Sequence, residues 1–232
     1  MSGCAELHLT ALNGSPFSIQ HAGDLAEFFF RANESSAAPN GYDEWTLTGA
    51  DPCRIRSGDI AAVNRTMAAR TAARHWESFT SADTDEPWLC ALDQDWDLFA
   101  TPEEQWLQHA VQYRLGDAFK AVMGPYRGAA VTTKVLHIKR PRLIPVCDSY
   151  VARMLGVELW DSSDWRGLLR VVLHLRKQGQ ANLESLQTVQ AGLQDVGIER
   201  TLVRILDALL WMRSSSSGPY HAFVQWLERV NT

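Results

Sequence analysis

The 232-residue sequence has no uncharged apolar run approaching the roughly 18 residues that a membrane-spanning helix needs. Its N-terminus, MSGCAELHL, also lacks a basic region followed by a long apolar stretch, so a soluble, cytoplasmic protein with no membrane partner is expected. The four cysteines, at 4, 53, 90 and 147, share no CxxC or other metal-type spacing. Reduced, mostly structural thiols are therefore expected, with no disulfide and no zinc. No P-loop, dinucleotide fingerprint or Ser-His-Asp order is present, and no cofactor is implied. Lys and Arg are missing between Arg74 and Arg114, where nine Asp and Glu accumulate. Within that stretch Asp93, Asp95 and Asp97 offer clustered carboxylates to a hard cation, but the Gly and terminal Glu of a calcium loop are absent. The run is read as an acidic surface loop without a metal.

A hydrophobic content of 46% suffices for a real core, and the length suits one domain over 1–232, expected as a monomer. Within it the sequence divides into a variable N-terminal part (1–56), a helical core (57–213) and a closing helix (219–232). The net charge of −5 argues against general coating of polyanions, but it averages over unlike regions. Residues 131–177 hold nine Lys and Arg against four Asp and Glu, leaving −10 for the rest. Such a segment suits local phosphate contact; the same residues near helix C-termini would also offset helix dipoles.

Apolar periodicity predicts about seven or eight helices and at most a minor N-terminal β element. Ser15-Pro16 reads as the start of a helix running to about Asn33, and residues 42–48 alternate well enough for a strand. Ser57-Gly58-Asp59 caps a helix over about 60–79. Thr101 and Glu104 form a capping box, with Pro102 at the first position, for a helix whose stripe of Trp106, Leu107, Ala110, Val111, Leu115, Ala118 and Val122 ends at Gly124-Pro125. Asp161, Ser162 and Ser163 cap a helix to about Lys177. Two further helices, 182–196 and 199–212, are split by Gly197, and the second is apolar enough to be central core. Residues 214–218 read as a linker.

The chemistry concentrates in VTTKVLHIKRPRLIPVCDSYVARML, residues 131–155. A short apolar helix carries Lys134, with His137 read as a core histidine. A basic turn follows (Lys139, Arg140, Pro141, Arg142), then an apolar strand-like run, Leu143 to Val146. Asp148 is placed to cap the next helix, where Tyr150, Val151, Met154 and Leu155 repeat at helical spacing.

The pattern T-K-V, then P-V-x-D-S-x-V-x-R, resembles the core of the helix-hairpin-helix/GPD superfamily of DNA glycosylases, in particular the Lys and Asp pattern of 8-oxoguanine glycosylases. The resemblance covers about 25 of the 232 residues. Cys147 is inserted between Val146 and Asp148, and the glycine-rich hairpin is reduced to Gly128-Ala129-Ala130-Val131. It implies a mainly α-helical, glycosylase-like bundle acting in base-excision repair on duplex DNA with a damaged or modified base. Lys134 and Asp148 would be catalytic; Gly128, Thr132, Thr133, Lys139, Arg140, Arg142, Tyr150 and Arg153 would contact DNA. A binding module that keeps this fold without the reaction is the alternative. Segments Ser57–Asn64, Lys134–Asp148 and Leu202–Met212 also resemble a bacterial family of unknown function, which implies a cytoplasmic, single-domain helical protein and no particular activity.

Overall fold

The computed structural model describes residues 5–34, 51–66, 86–125, 127–157, 164–214 and 219–230. Among them are eleven helices and one two-stranded sheet, so the protein is mainly α-helical with a small N-terminal β element. The strand expected at 42–48, the part of the 60–79 helix beyond Thr66, the cap at 161–163 and residues 215–218 of the linker expected over 214–218 lie outside the described residues, while Ser214 ends a helix instead of opening that linker.

A hairpin stands where a helix start was expected. β1 (Leu7–Thr10) pairs antiparallel with β2 (Pro16–Ile19), Leu7 opposite Ile19 and Leu9 opposite Phe17. Leu7, Leu9 and Ile19 are buried, the period-2 alternation of a half-exposed strand. Gly14 has φ +85°, and Asn13 accepts the Ser15 N–H at 3.0 Å, so the connection reverses at Asn13-Gly14. Pro16 therefore opens a short edge strand, which proline tolerates, and α1 (Ala22–Glu34) begins beyond it.

The remaining helices are α2 (Ser57–Thr66), α3 (Pro87–Cys90), α4 (Glu103–Gln108), α5 (Val111–Val122), α6 (Ala129–His137), α7 (Ser149–Met154), α8 (Trp165–Ala181), α9 (Leu183–Asp195), α10 (Leu202–Ser214) and α11 (Pro219–Val230). The single helix expected over 101–122 is broken, because Ala110 is left-handed at φ +51° between α4 and α5. The break turns Leu107 outward, 68% exposed, although it belongs to the predicted apolar stripe. No capping box forms either: Pro102 holds the N-cap position, and the Thr101 hydroxyl accepts the Asp97 N–H at 2.9 Å. Asp164 caps α8, accepting from the Gly167 N–H.

One hydrophobic core runs from Leu7 to Phe223. At its centre α10 buries Leu202, Val203, Ile205, Leu206, Ala208, Leu209, Leu210 and Met212, as its apolar composition predicts. Each large apolar side chain buried there contributes about 1.5–3 kcal/mol. Helices α1, α7 and α9 pack on α10, and α5 packs on α8. The α5–α8 approach depends on Gly116, where an added Cβ would stand 3.3 Å from the Trp165 ring. The hairpin is fastened to α8 and its C-cap by side chains: Gln178 accepts the Thr10 N–H, and Asn182 bonds both the N–H and the carbonyl of His8.

Candidate functional site

The α6–α7 region holds Lys134 and Asp148. Asp148 is the N-cap of α7 as expected: Oδ1 accepts the Tyr150 and Val151 N–H groups at 2.9 and 3.1 Å. Its extended backbone lets the carboxylate turn back over the first helical turn, which has no other acceptors. The Leu143–Val146 run forms no strand and passes through the interior, returning the chain from α6 to α7. Two bonds tie this return to α6. His137 Nδ1 donates to the Ile144 carbonyl at 2.5 Å, and the Cys147 N–H donates to Thr133 Oγ1 at 3.0 Å. Residues immediately before Lys134 and Asp148 are thus bonded to one another. Both Lys134 and Asp148 are half-buried.

The basic turn is not the exposed phosphate-binding face expected of it. Lys139 and Arg140 are 5% and 2% exposed. Lys139 Nζ lies 2.6 Å from Asp59 Oδ2 and donates to the Asp51 carbonyl. The Arg140 guanidinium donates to four carbonyls, those of Leu92, Pro52, Lys139 and Leu89. Burial pulls its pKa down to about 10, opposed by Asp93, so it remains cationic at neutral pH. Thr132 and Thr133 are interior too, their hydroxyls donating to the Arg127 and Ala129 carbonyls. None of these four can reach a phosphate without disrupting the packing.

The residues expected on DNA that do reach the surface are Arg142, Tyr150 and Arg153, with Gly128 partly exposed at the N-cap of α6. Arg142 Nε is 3.4 Å from Asp97 Oδ2. Asp97 also accepts the Phe99 and Ala100 N–H groups, so the third carboxylate of the acidic run serves as a turn cap. Tyr150 is 37% exposed, its ring 5.6 Å edge-on from Trp211 of α10 and 5.7 Å from the Arg153 guanidinium. Trp211 has no local signal marking it as a neighbour of Tyr150; the contact arises only because α7 packs on α10.

Cys147 is a buried, inert thiol: burial first, then Asp207 and Asp148, push its pKa well up. Cys53 and Cys90, however, are joined in a disulfide with Cα atoms 4.7 Å apart, which overturns the expectation of four reduced thiols. Arg140 gathers the carbonyls of Pro52 and Leu89, one residue before each cysteine, and the Glu86 N–H donates to the Cys53 carbonyl. These contacts hold together two segments that the sequence leaves far apart. The pair borders a cavity of about 520 Å³ whose lining includes Asp93, Trp96, His109, Arg114 and Arg140. A smaller cavity lies on the hairpin, between His8 and Ser18. Neither is lined by Lys134 or Asp148.

Among the described residues no helix is long and apolar enough to cross a membrane. No curated protein and no solved structure matches this chain. Residues 21–214 match the model of a family of unknown function, DUF6308, and the chain belongs to that family.

Proposed function

We propose that the chain acts on DNA as an N-glycosylase, with Asp148 stabilising positive charge on the sugar and Lys134 supplying the attacking amine. The observation that carries this reading is the Thr133–Cys147 hydrogen bond. It ties the residue before the amine to the residue before the carboxylate, making one rigid unit of α6 and the α7 cap. Asp148 uses Oδ1 for both capping bonds, which leaves Oδ2 able to face a developing cation. In this reading the Lys134 amine attacks C1′ as the base departs, forming a Schiff base after ring opening and so allowing strand cleavage. The half-exposed Tyr150 ring, stiffened by Trp211 and flanked by Arg153, offers a stacking surface to an unpaired base and a cation to the adjacent phosphate.

A second reading, DNA binding without catalysis, is favoured by the reduced hairpin before Lys134, Gly128-Ala129-Ala130-Val131, and by the acidic bulk of the chain. Incubating the full chain with duplexes carrying oxidised or alkylated bases, with borohydride present, separates the two. Base release with a trapped adduct that Lys134→Gln abolishes supports the enzyme; retention of the same duplexes with neither base release nor adduct supports the binding module.

A further inference from the structure

We propose that Cys53 and Cys90 form a redox-exchange site, in which Cys90, the more exposed of the two, reacts with a small-molecule thiol through the cavity beside Arg140. The proposal is independent of the DNA reading and rests on the placement of the pair. Cys90, the last residue of α3, is exposed, while Cys53 is half-buried. Attack from solvent is thereby directed to Cys90. The cavity of about 520 Å³ is bordered by both cysteines and opens beside Asp93, Trp96, His109 and Arg114. It has room for a thiol of tripeptide size and carries cationic, acidic and aromatic partners for one. Arg114 donates to the Ala91 carbonyl at 2.7 Å and stacks over the Trp96 ring at 5.5 Å, fixing the wall next to Cys90. Arg140, buried and charged on the same cavity, favours a thiolate nearby.

The exchange balances without a metal or a bound cofactor. A thiolate of the small molecule attacks Cys90 Sγ, the Cys53–Cys90 bond breaks, and Cys53 leaves as a thiolate that takes a proton from water. A second small thiolate attacks its own kind in the mixed disulfide, releasing Cys90 as thiolate and a symmetrical small-molecule disulfide. Two thiols are oxidised and one protein disulfide is reduced; the reverse sequence reoxidises the pair. Arg140 is the positioning residue for that return, because it keeps the backbone before each cysteine in register through the Pro52 and Leu89 carbonyls whether or not the sulfur bond exists.

The test equilibrates the full chain with reduced and oxidised glutathione at varied ratios, quenches with acid, alkylates, and maps cysteines by peptide mass spectrometry. The native chain is expected to pass reversibly between dithiol and disulfide. Cys53→Ser is expected to take one glutathione on Cys90, and Cys90→Ser to label at Cys53 more slowly, in keeping with its lower exposure. Cys147 stays unmodified until urea is added. Circular dichroism establishes that both variants are folded; if either is not, the early mixed disulfide of the unmutated chain reports the attacked sulfur instead. A pair that remains dithiol at every ratio, a disulfide that resists glutathione until the chain unfolds, or early adducts on Cys53 would overturn the proposal.

Discussion

Lys139 Nζ and Asp59 Oδ2 meet at 2.6 Å, with the two side chains only 1% and 2% exposed. The pair joins the basic turn after α6 to the start of α2, and Asp59 also accepts the Arg56 N–H at 2.7 Å. Removing one partner strands the other as a buried charge. Lys139→Met is expected to cost about 3–5 kcal/mol, and the double change with Asp59→Leu to recover much of that loss. Urea denaturation at constant pH measures both; a single variant as stable as the parent would contradict the burial.

Reduction of the Cys53–Cys90 bond is a second lever on stability. It closes a sequence separation of 37 residues, for which the chain-entropy relation gives about 4 kcal/mol. Thermal unfolding with a phosphine reductant should shift downward by roughly 10 °C relative to the oxidised chain. An unchanged transition would show that the closed loop contributes nothing to the folded state.

Asp148 is the cap of α7, and on the proposed reading it has a second, separable role in chemistry. Asn caps a helix as well as Asp does, so Asp148→Asn should change stability by less than about 0.5 kcal/mol, whereas Asp148→Ala should cost about 1 kcal/mol. Base release by the Asn variant should nevertheless fall by about a hundredfold, since the carboxylate charge facing the sugar is gone. Equal rates for parent and Asn variant would reduce Asp148 to a cap.

The interior placement of Lys139, Arg140 and Arg176 removes three of the nine basic residues of 131–177 from any phosphate contact. On the proposed reading, DNA affinity should therefore depend only shallowly on salt, with a log–log slope of roughly −2 to −3, as for two or three phosphates met by Arg142, Arg153 and Lys134. Arg153→Glu should weaken binding while leaving the fold intact. Arg140→Glu should instead prevent folding, because its guanidinium satisfies four carbonyls.

The Asp148 cap, α6 and the core helix α10 were legible in the sequence because their signals are local: an N-cap type before an apolar repeat, or a helix apolar on most faces. The fate of Lys139 and Arg140 was not, since their long-range partners lie between 48 and 88 positions away and are mostly backbone carbonyls, which no residue type announces. A basic turn reads the same whether it faces phosphate or peptide oxygen. The disulfide was hidden for a related reason, as the two cysteines share no motif and meet where Arg140 and the Glu86 N–H hold their flanking backbone together. The hairpin left a usable signal in Asn13-Gly14 between alternating apolar residues, but Ser15-Pro16 also reads as a helix start, and the strand pairing decides between them.

Borohydride trapping on lesion-bearing duplexes tests the proposed chemistry most directly. A covalent protein–DNA adduct that forms with the parent chain and disappears in Lys134→Gln, with DNA binding retained, is the expected result. Absence of any adduct and of any base release across oxidised and alkylated bases, from a chain that still binds those duplexes, would contradict it.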